Sequence, residues 1–231
     1  MSFTSEDIGR IQSNEIKHGE SFQFECQMCG HCCKGRSEPI VVTGYDVFRF
    51  SRALGMSLKE SIDLNCTVYL GHTSHIPVCV LQERMDGSCR LMRKGKCMVQ
   101  NNKPAVCALY PLGRYYDIRD KQFHYFTVPE NQCAGTKADH EWMLDDWINH
   151  FHLEENIEES TAWNRLMIGI TNVTAKWDTR RVKKNQELFG LMLAVLYMNY
   201  RYDLPYIAQV EANMEIARVY FNDKFNKTLE F

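Results

Sequence analysis

The stretch FECQMCGHCCKG, residues 24–35, sets cysteines at positions 26, 29, 32 and 33. Cys32 and Cys33 are poor disulfide partners, because the side chains of neighbouring residues diverge and rarely bridge. C-x-x-C spacing suits a metal instead, since two intervening residues let both sulfurs curl round one ion. The choice left open is which metal, how many, and for what.

The 231-residue chain holds ten cysteines, at 26, 29, 32, 33, 66, 79, 89, 97, 107 and 133. In a short secreted chain such a set would predict disulfides. The opening MSFTSEDIGRIQSNEIKHGE is polar and lacks the apolar core of a signal peptide. The expectation is therefore a cytoplasmic protein whose thiols are ligands rather than bridges. With 45% hydrophobic and 24% charged residues the chain can bury a core. A net charge of -2 lacks the basic excess of a nucleic-acid binder. The longest apolar run, LFGLMLAVLYMNY at 188–200, is too short for a bilayer and reads as a buried helix. No nucleic-acid or membrane partner is expected.

After the cysteine knot, EPIVVTGYDVFRFSRALGMSLKESIDL reads as a short strand and two helices. Thr43 with Asp46 and Ser57 with Glu60 have capping-box spacing, and Gly55 should stop the first helix. CTVYL, IPVCVLQ, RYYDI and QFHYFTV look like strands, the last two forming a hairpin through RDK. Between them DGSCRLMRKGKCMVQNNKPAVCALYPLGR has little periodicity and needs something other than a core to hold it. DHEWMLDDWINHFH carries Trp142, Leu144, Trp147 and Phe151 on a helical pattern. Further helices are expected over 160–172, 181–200 and 205–223, with Pro205 in a first turn. The predicted fold class is α+β: a small cysteine-rich, metal-organised half with short strands and helices, then a helical C-terminal half. The predicted division is a cysteine-cluster metal-binding domain over 20–137 and a helical region over 138–231 packed on it.

Cys66 and Cys79 lie in apolar, strand-like runs, where a buried structural thiol is the better reading. Cys26, Cys29, Cys32, Cys33, Cys89, Cys97, Cys107 and Cys133 lie in glycine-rich or loop-like contexts. Eight thiols divide into two four-coordinate sets, with Cys32 and Cys33 serving different centres or different irons of one cluster. The alternative is that only the first knot binds metal. His31 and His140 could join such sites but read more simply as exposed loop histidines, as do the pair in HTSH at 72–75. YPLGRYY at 110–116 reads as a hydrophobic collar for the metal or, second, as a substrate pocket. The acidic segment 139–159 and the basic Arg180, Arg181, Lys183 and Lys184 read as solvated helix faces.

The pattern CxxCGxCCxG, then DGSC, KC, KPAVCALYP and CAGT, resembles the YkgJ-type cysteine-cluster proteins, a bacterial group described as zinc- or iron-chelating. Flagellin lysine N-methylase is a relative. The resemblance covers residues 24–136 and implies that the eight loop-context cysteines are the family's. The family usually reads Arg-Pro-x-x-Cys-Arg-x-Phe/Tyr-Pro, whereas Lys103 and Ala108 replace the arginines here; Ala134 follows Cys133 where Cys-Pro-Gly is usual. Four thiolates satisfy either zinc or iron–sulfur. The C-x-x-C-x-x-C run resembles bacterial ferredoxin spacing, so an iron–sulfur cluster, [4Fe–4S], is favoured over Zn2+.

No G-x-G spacing or P-loop occurs. The expected function is a metal-binding protein holding one or two cysteine-ligated centres, structural or redox-active, acting with a protein or peptide partner. The alternative rests on the family relative alone. It is an S-adenosylmethionine-dependent protein lysine N-methyltransferase, or peptide-modifying enzyme, with an iron–sulfur centre.

Overall fold

The computed structural model describes residues 13–27, 29–34, 39–117, 119–128 and 133–231. The fold is α+β, with several short antiparallel strands in the half that bears the cysteines and helices dominating the rest. By contact the chain forms two units: Val41–Val80 with Ile157–Phe231, and the described part of 2–40 with Leu81–Asn156. This grouping differs from a linear division after residue 137. Residues 41–80 sort with the C-terminal helices, and 138–156 sort with the cysteine-bearing segments.

In the first unit, β3 (Val41–Val42), β4 (Cys66–Leu70) and β5 (Pro77–Leu81) form a sheet in the order β3-β5-β4. Helices α1 (Gly44–Leu54) and α2 (Leu58–Asn65) start on the two capping boxes read from sequence. Thr43 Oγ1 accepts from the Asp46 N–H at 3.0 Å, and Ser57 Oγ accepts from the Glu60 N–H at 3.3 Å. Gly55 ends α1 at φ 67, the left-handed conformation that glycine takes without penalty. Helices α5 (Ile157–Thr174), α6 (Thr179–Lys184), α7 (Gln186–Leu193) and α8 (Tyr206–Phe225) complete the unit. Pro205 stands at the α8 N-cap, one residue outside the helix.

The helix expected over 181–200 is divided. Asn185 ends α6 and caps α7, its side-chain oxygen accepting from the Leu188 N–H at 3.0 Å. Ala194–Met198 then winds as a π-turn. Its carbonyls find outside donors: Tyr200 donates to Val195 O at 2.7 Å, and the Trp163 indole N–H donates to Leu196 O at 2.8 Å. A Cβ on Gly44 would lie 2.0 Å from Leu196 O, so α1 begins hard against this turn. HTSH also departs from expectation. His75 is buried; its Nδ1 donates to Thr174 O at 2.9 Å and its Nε2 accepts from Thr179 Oγ1 at 2.8 Å. It is a core tie, and only His72 is exposed.

In the second unit, β8 (Leu112–Asp117) and β9 (Gln122–Thr127) form the expected hairpin, extended by β1 (Glu15–Ile16) in the order β1-β9-β8. The helix expected from residue 139 begins later. Glu141–Met143 is strand β10, paired antiparallel with β2 (Ser21–Gln23), and only Leu144–His150 is helix α4. The Gly19 N–H donates to Asp145 at 3.0 Å and His18 bonds the other oxygen of that carboxylate, so the turn before β2 is tied to the start of α4. The aperiodic stretch resolves into hairpin β6 (Met92–Arg93) and β7 (Lys96–Cys97) and the five-residue helix α3 (Ala105–Leu109). Phe22, Phe24, Leu109, Leu112, Leu144 and Trp147 are core residues of this unit. Among the described residues no helix is long and apolar enough to cross a membrane.

Candidate metal centre

The eight loop-context cysteines all fall in the second unit, whereas Cys66 and Cys79 fall in the first. Cys66 and Cys79 are buried, and the Cys79 thiol is pushed up by its hydrogen bond to Cys66, by burial and by Asp46.

Cys32 and Cys33 end a short 3-10 turn, His31–Cys33, that follows Gly30 in the left-handed conformation (φ 70). Their sulfurs lie 3.9 Å apart, so the two side chains converge where neighbouring residues were expected to diverge. Cys97 comes from β7, directly across from Met92. Cys107 comes from α3, whose first turn closes on Pro104 O, which accepts from the Cys107 and Ala108 N–H groups at 2.9 Å. The Trp147 indole N–H donates to Leu109 O at 3.0 Å and so ties the end of that helix to α4.

Charge interactions join these thiols. The Cys32 thiol is pushed up first by its hydrogen bond to Cys33, then by burial, then by the charges of Cys33 and Cys107. Cys32 itself is exposed. Burial pushes the Cys97 thiol up and Cys33 adds to this, while the Val99 N–H and Lys103 pull it down. Lys103 also lowers Cys32. Its ammonium lies 5.5 Å from the Phe151 ring centroid, so it is placed by an aromatic face beside the thiols. Three separated segments thus deliver Cys32, Cys33, Cys97 and Cys107 to one neighbourhood around Lys103.

Of the other four, Cys89 is tied to this group by a backbone contact. The Cys89 N–H donates to Cys33 O at 2.8 Å, and the Arg84 guanidinium reaches Arg90 O at 2.7 Å and the Cys89 carbonyl, fixing the loop. Cys26 and Cys29 are exposed, while Cys133 is buried. The Glu25 N–H donates to Gly135 O at 3.0 Å and the Phe24 N–H to His140 O at 2.8 Å, which lays the Cys26 segment along that of Cys133. Among the described residues no three cysteine sulfurs lie within 4.8 Å of one another. A tetrahedral ion with bonds of about 2.3 Å would draw four sulfurs to about 3.8 Å.

His31 and His140 are exposed, His140 lying edge-on to Trp142 at 5.2 Å. The YPLGRYY aromatics serve the hairpin more than a collar: Tyr115 stacks on His124 at 5.2 Å and Arg114 covers Phe123 at 4.2 Å. Tyr110 meets the core ring of Phe24 edge-on at 6.0 Å. Sequence reading missed the group Asp117, Asp120 and His124, whose ligand-type atoms lie within 4.8 Å. No spacing rule signals it, because a tight turn brings them together. Arg119 binds Asp117 and Glu15 binds His124, so these charges already have partners. A cleft of about 200 Å³ lined by His18, Asp145, Ile148, Asn149 and Glu154 also lies in this unit.

Residues 25–134 match the CxxCxxCC family model, described as a "putative zinc- or iron-chelating domain". This segment is a CxxCxxCC domain, the family its cysteine spacing resembles. No curated protein and no solved structure matches the chain.

Proposed function

We propose that this CxxCxxCC protein holds an iron–sulfur cluster on cysteine thiolates, with Cys32, Cys33, Cys97 and Cys107 as the nucleus of the site, and uses it in a structural or redox role with a partner. The observation that carries the reading is the convergence of thiols from the 3-10 turn, β7 and α3, in segments with little apolar periodicity of their own. Soft thiolates fit zinc and iron alike. The C-x-x-C-x-x-C run supports iron–sulfur. Cys26, Cys29, Cys89 and Cys133 complete the proposed ligand set, as a second centre or as alternates to the first. When bound, such a cluster supplies one-electron chemistry. The chain's own part is to hold the thiols in place and to set the local charge through Lys103.

The test is anaerobic purification followed by absorbance and elemental analysis. A broad band near about 400 nm with bound iron and acid-labile sulfide is expected. Colourless protein with stoichiometric zinc, and no iron after anaerobic reconstitution, would replace the cluster with zinc.

A further inference from the structure

The β6–β7 hairpin breaks two local rules at once. Its register sets Arg93 directly opposite Lys96, and like charges facing across a strand pair destabilise it. Its two turn residues, Lys94 (φ 51) and Gly95 (φ 77), are both left-handed, as a type I′ turn requires. Glycine takes such a position freely, whereas lysine carries its Cβ into it at a cost. Asparagine, aspartate or glycine at position 94 would relieve the turn and remove one charge from beside the Arg93–Lys96 pair. Instead, four cations, Arg90, Arg93, Lys94 and Lys96, stand exposed, and none forms an ion pair with a described residue. The nearby Asp86 carboxylate is engaged by the Ser88 N–H and hydroxyl.

Strand alternation sorts the hairpin's two faces. Met92 and Cys97 share the inner face: Met92 is buried, and its sulfur would lie 3.7 Å from a Cβ on Gly30. Arg93 and Lys96 share the outer face, and Met98, in the turn just past the strand, is 42% exposed. The hairpin that carries thiol Cys97 inward therefore presents two cations outward, with an exposed thioether just past its second strand.

We infer that the outer face of this hairpin is a docking surface for an acidic, partly apolar segment of a partner protein. In a chain of net charge -2, unneutralised cations kept at a local cost mark a place where charge is used. Carboxylates of a polypeptide complement the arginines and lysines, and Met98 gives its apolar residues a soft contact. A phosphate backbone or a lipid headgroup has no use for the thioether. Cys97 lies on the same strand, so the partner sits against the thiol neighbourhood. This surface does not depend on which metal the thiols hold.

Anaerobically purified protein, with whatever metal it retains, is titrated by fluorescence anisotropy. The probe is a labelled peptide of about a dozen residues repeating Glu-Glu-Leu-Leu; comparators are its glutamine-for-glutamate version, duplex DNA of equal charge, and phosphatidylglycerol vesicles. The acidic peptide is expected to bind about tenfold more tightly than any comparator and to weaken with salt. The double change Arg93→Gln, Lys96→Gln should cost about tenfold, the order of two exposed charge pairs. Lys94→Gly keeps the turn, so it should raise the melting temperature while weakening binding several-fold, which separates docking from folding. Equal or tighter binding to DNA, vesicles or the glutamine peptide would overturn the surface, as would undiminished affinity in the double variant. Metal content measured on the same preparations tests the centre separately, so either reading can fail alone.

Discussion

Alanine at position 135 should loosen the seam between the segments that bear Cys26 and Cys133. Gly135 lies in the 3-10 turn Ala134–Lys137, two residues after Cys133. A Cβ built there would lie 2.4 Å from Glu25 O and 2.9 Å from Phe24 Cε2. The first contact is to backbone and cannot swing aside. Gly135 is not among the positive-φ glycines, so alanine meets no conformational objection and the effect is steric. Relieving it means moving the 24–25 segment outward and straining the Glu25 N–H to Gly135 O bond of 3.0 Å. Overpacking costs about 1–3 kcal/mol and the hydrogen bond about 1 more, so a loss of about 2–4 kcal/mol is expected. In a domain of this size that lowers the melting temperature by about 4–16 °C. The assay is calorimetry of anaerobic protein, with metal content measured alongside, because the same seam sets the spacing of Cys26 and Cys133. Gly190→Ala is the control: nothing lies within 4 Å of its added Cβ, and its helical position should be neutral or gain up to about 1 kcal/mol. If Gly135→Ala melts like wild type and keeps its metal, the seam does not hold the segments together.

Three further outcomes follow from single contacts. His124 bonds Glu15 on β1 at 2.9 Å and Asp120 at 2.6 Å, and its pKa is raised, first by Glu15 and then, against burial, by Asp120. The stabilisation is therefore complete below the unfolded value of about 6.5 and is lost as pH rises through the higher folded value. Amide exchange at Ile16 should accelerate over that window, by well under 1 kcal/mol, and His124→Gln should flatten the profile. Trp147→Phe leaves the buried Leu109 carbonyl without its 3.0 Å donor and should cost about 1–3 kcal/mol in denaturant unfolding. Chelation should expose residues 84–111 to protease before the helices of 157–231 are cut, and unchanged cleavage of stripped protein would show that the loops fold without metal.

The elements legible in the sequence were those written in local chemistry. Both capping boxes and the Gly55 stop are visible as residue types at fixed spacing, and the β8–β9 hairpin as alternation round a polar turn. What escaped depends on distant partners. Residues 141–143 pair with Ser21–Gln23, more than a hundred positions away, and that pairing overrides their helical pattern. The π-turn at 194–198 is supported by Trp163 and Tyr200, which no window over 181–200 weighs together. His75 reads as a surface histidine until Thr174 and Thr179 close over it. Within the candidate site, the cysteines were visible in the sequence as candidates, but which of their side chains lie near one another was not. Adjacent cysteines were expected to part, whereas the 3-10 turn brings their sulfurs to 3.9 Å. Lys103 was visible only as a replaced arginine, and its place beside Cys32 and Cys97 needed the fold.

The most direct measurement is iron, sulfide and zinc per chain in anaerobically purified cysteine variants. Cys32→Ser, Cys97→Ser and Cys107→Ser each replace a thiolate in the shared neighbourhood, and serine is a poor ligand for a soft metal. Each should lose most of its iron and sulfide. Cys66→Ala and Cys79→Ala leave only small cavities in the other unit, on the order of 1 kcal/mol each, and should keep the wild-type iron content. Full iron in Cys107→Ser, or equal loss in Cys79→Ala, would contradict a centre built on the second unit's thiols.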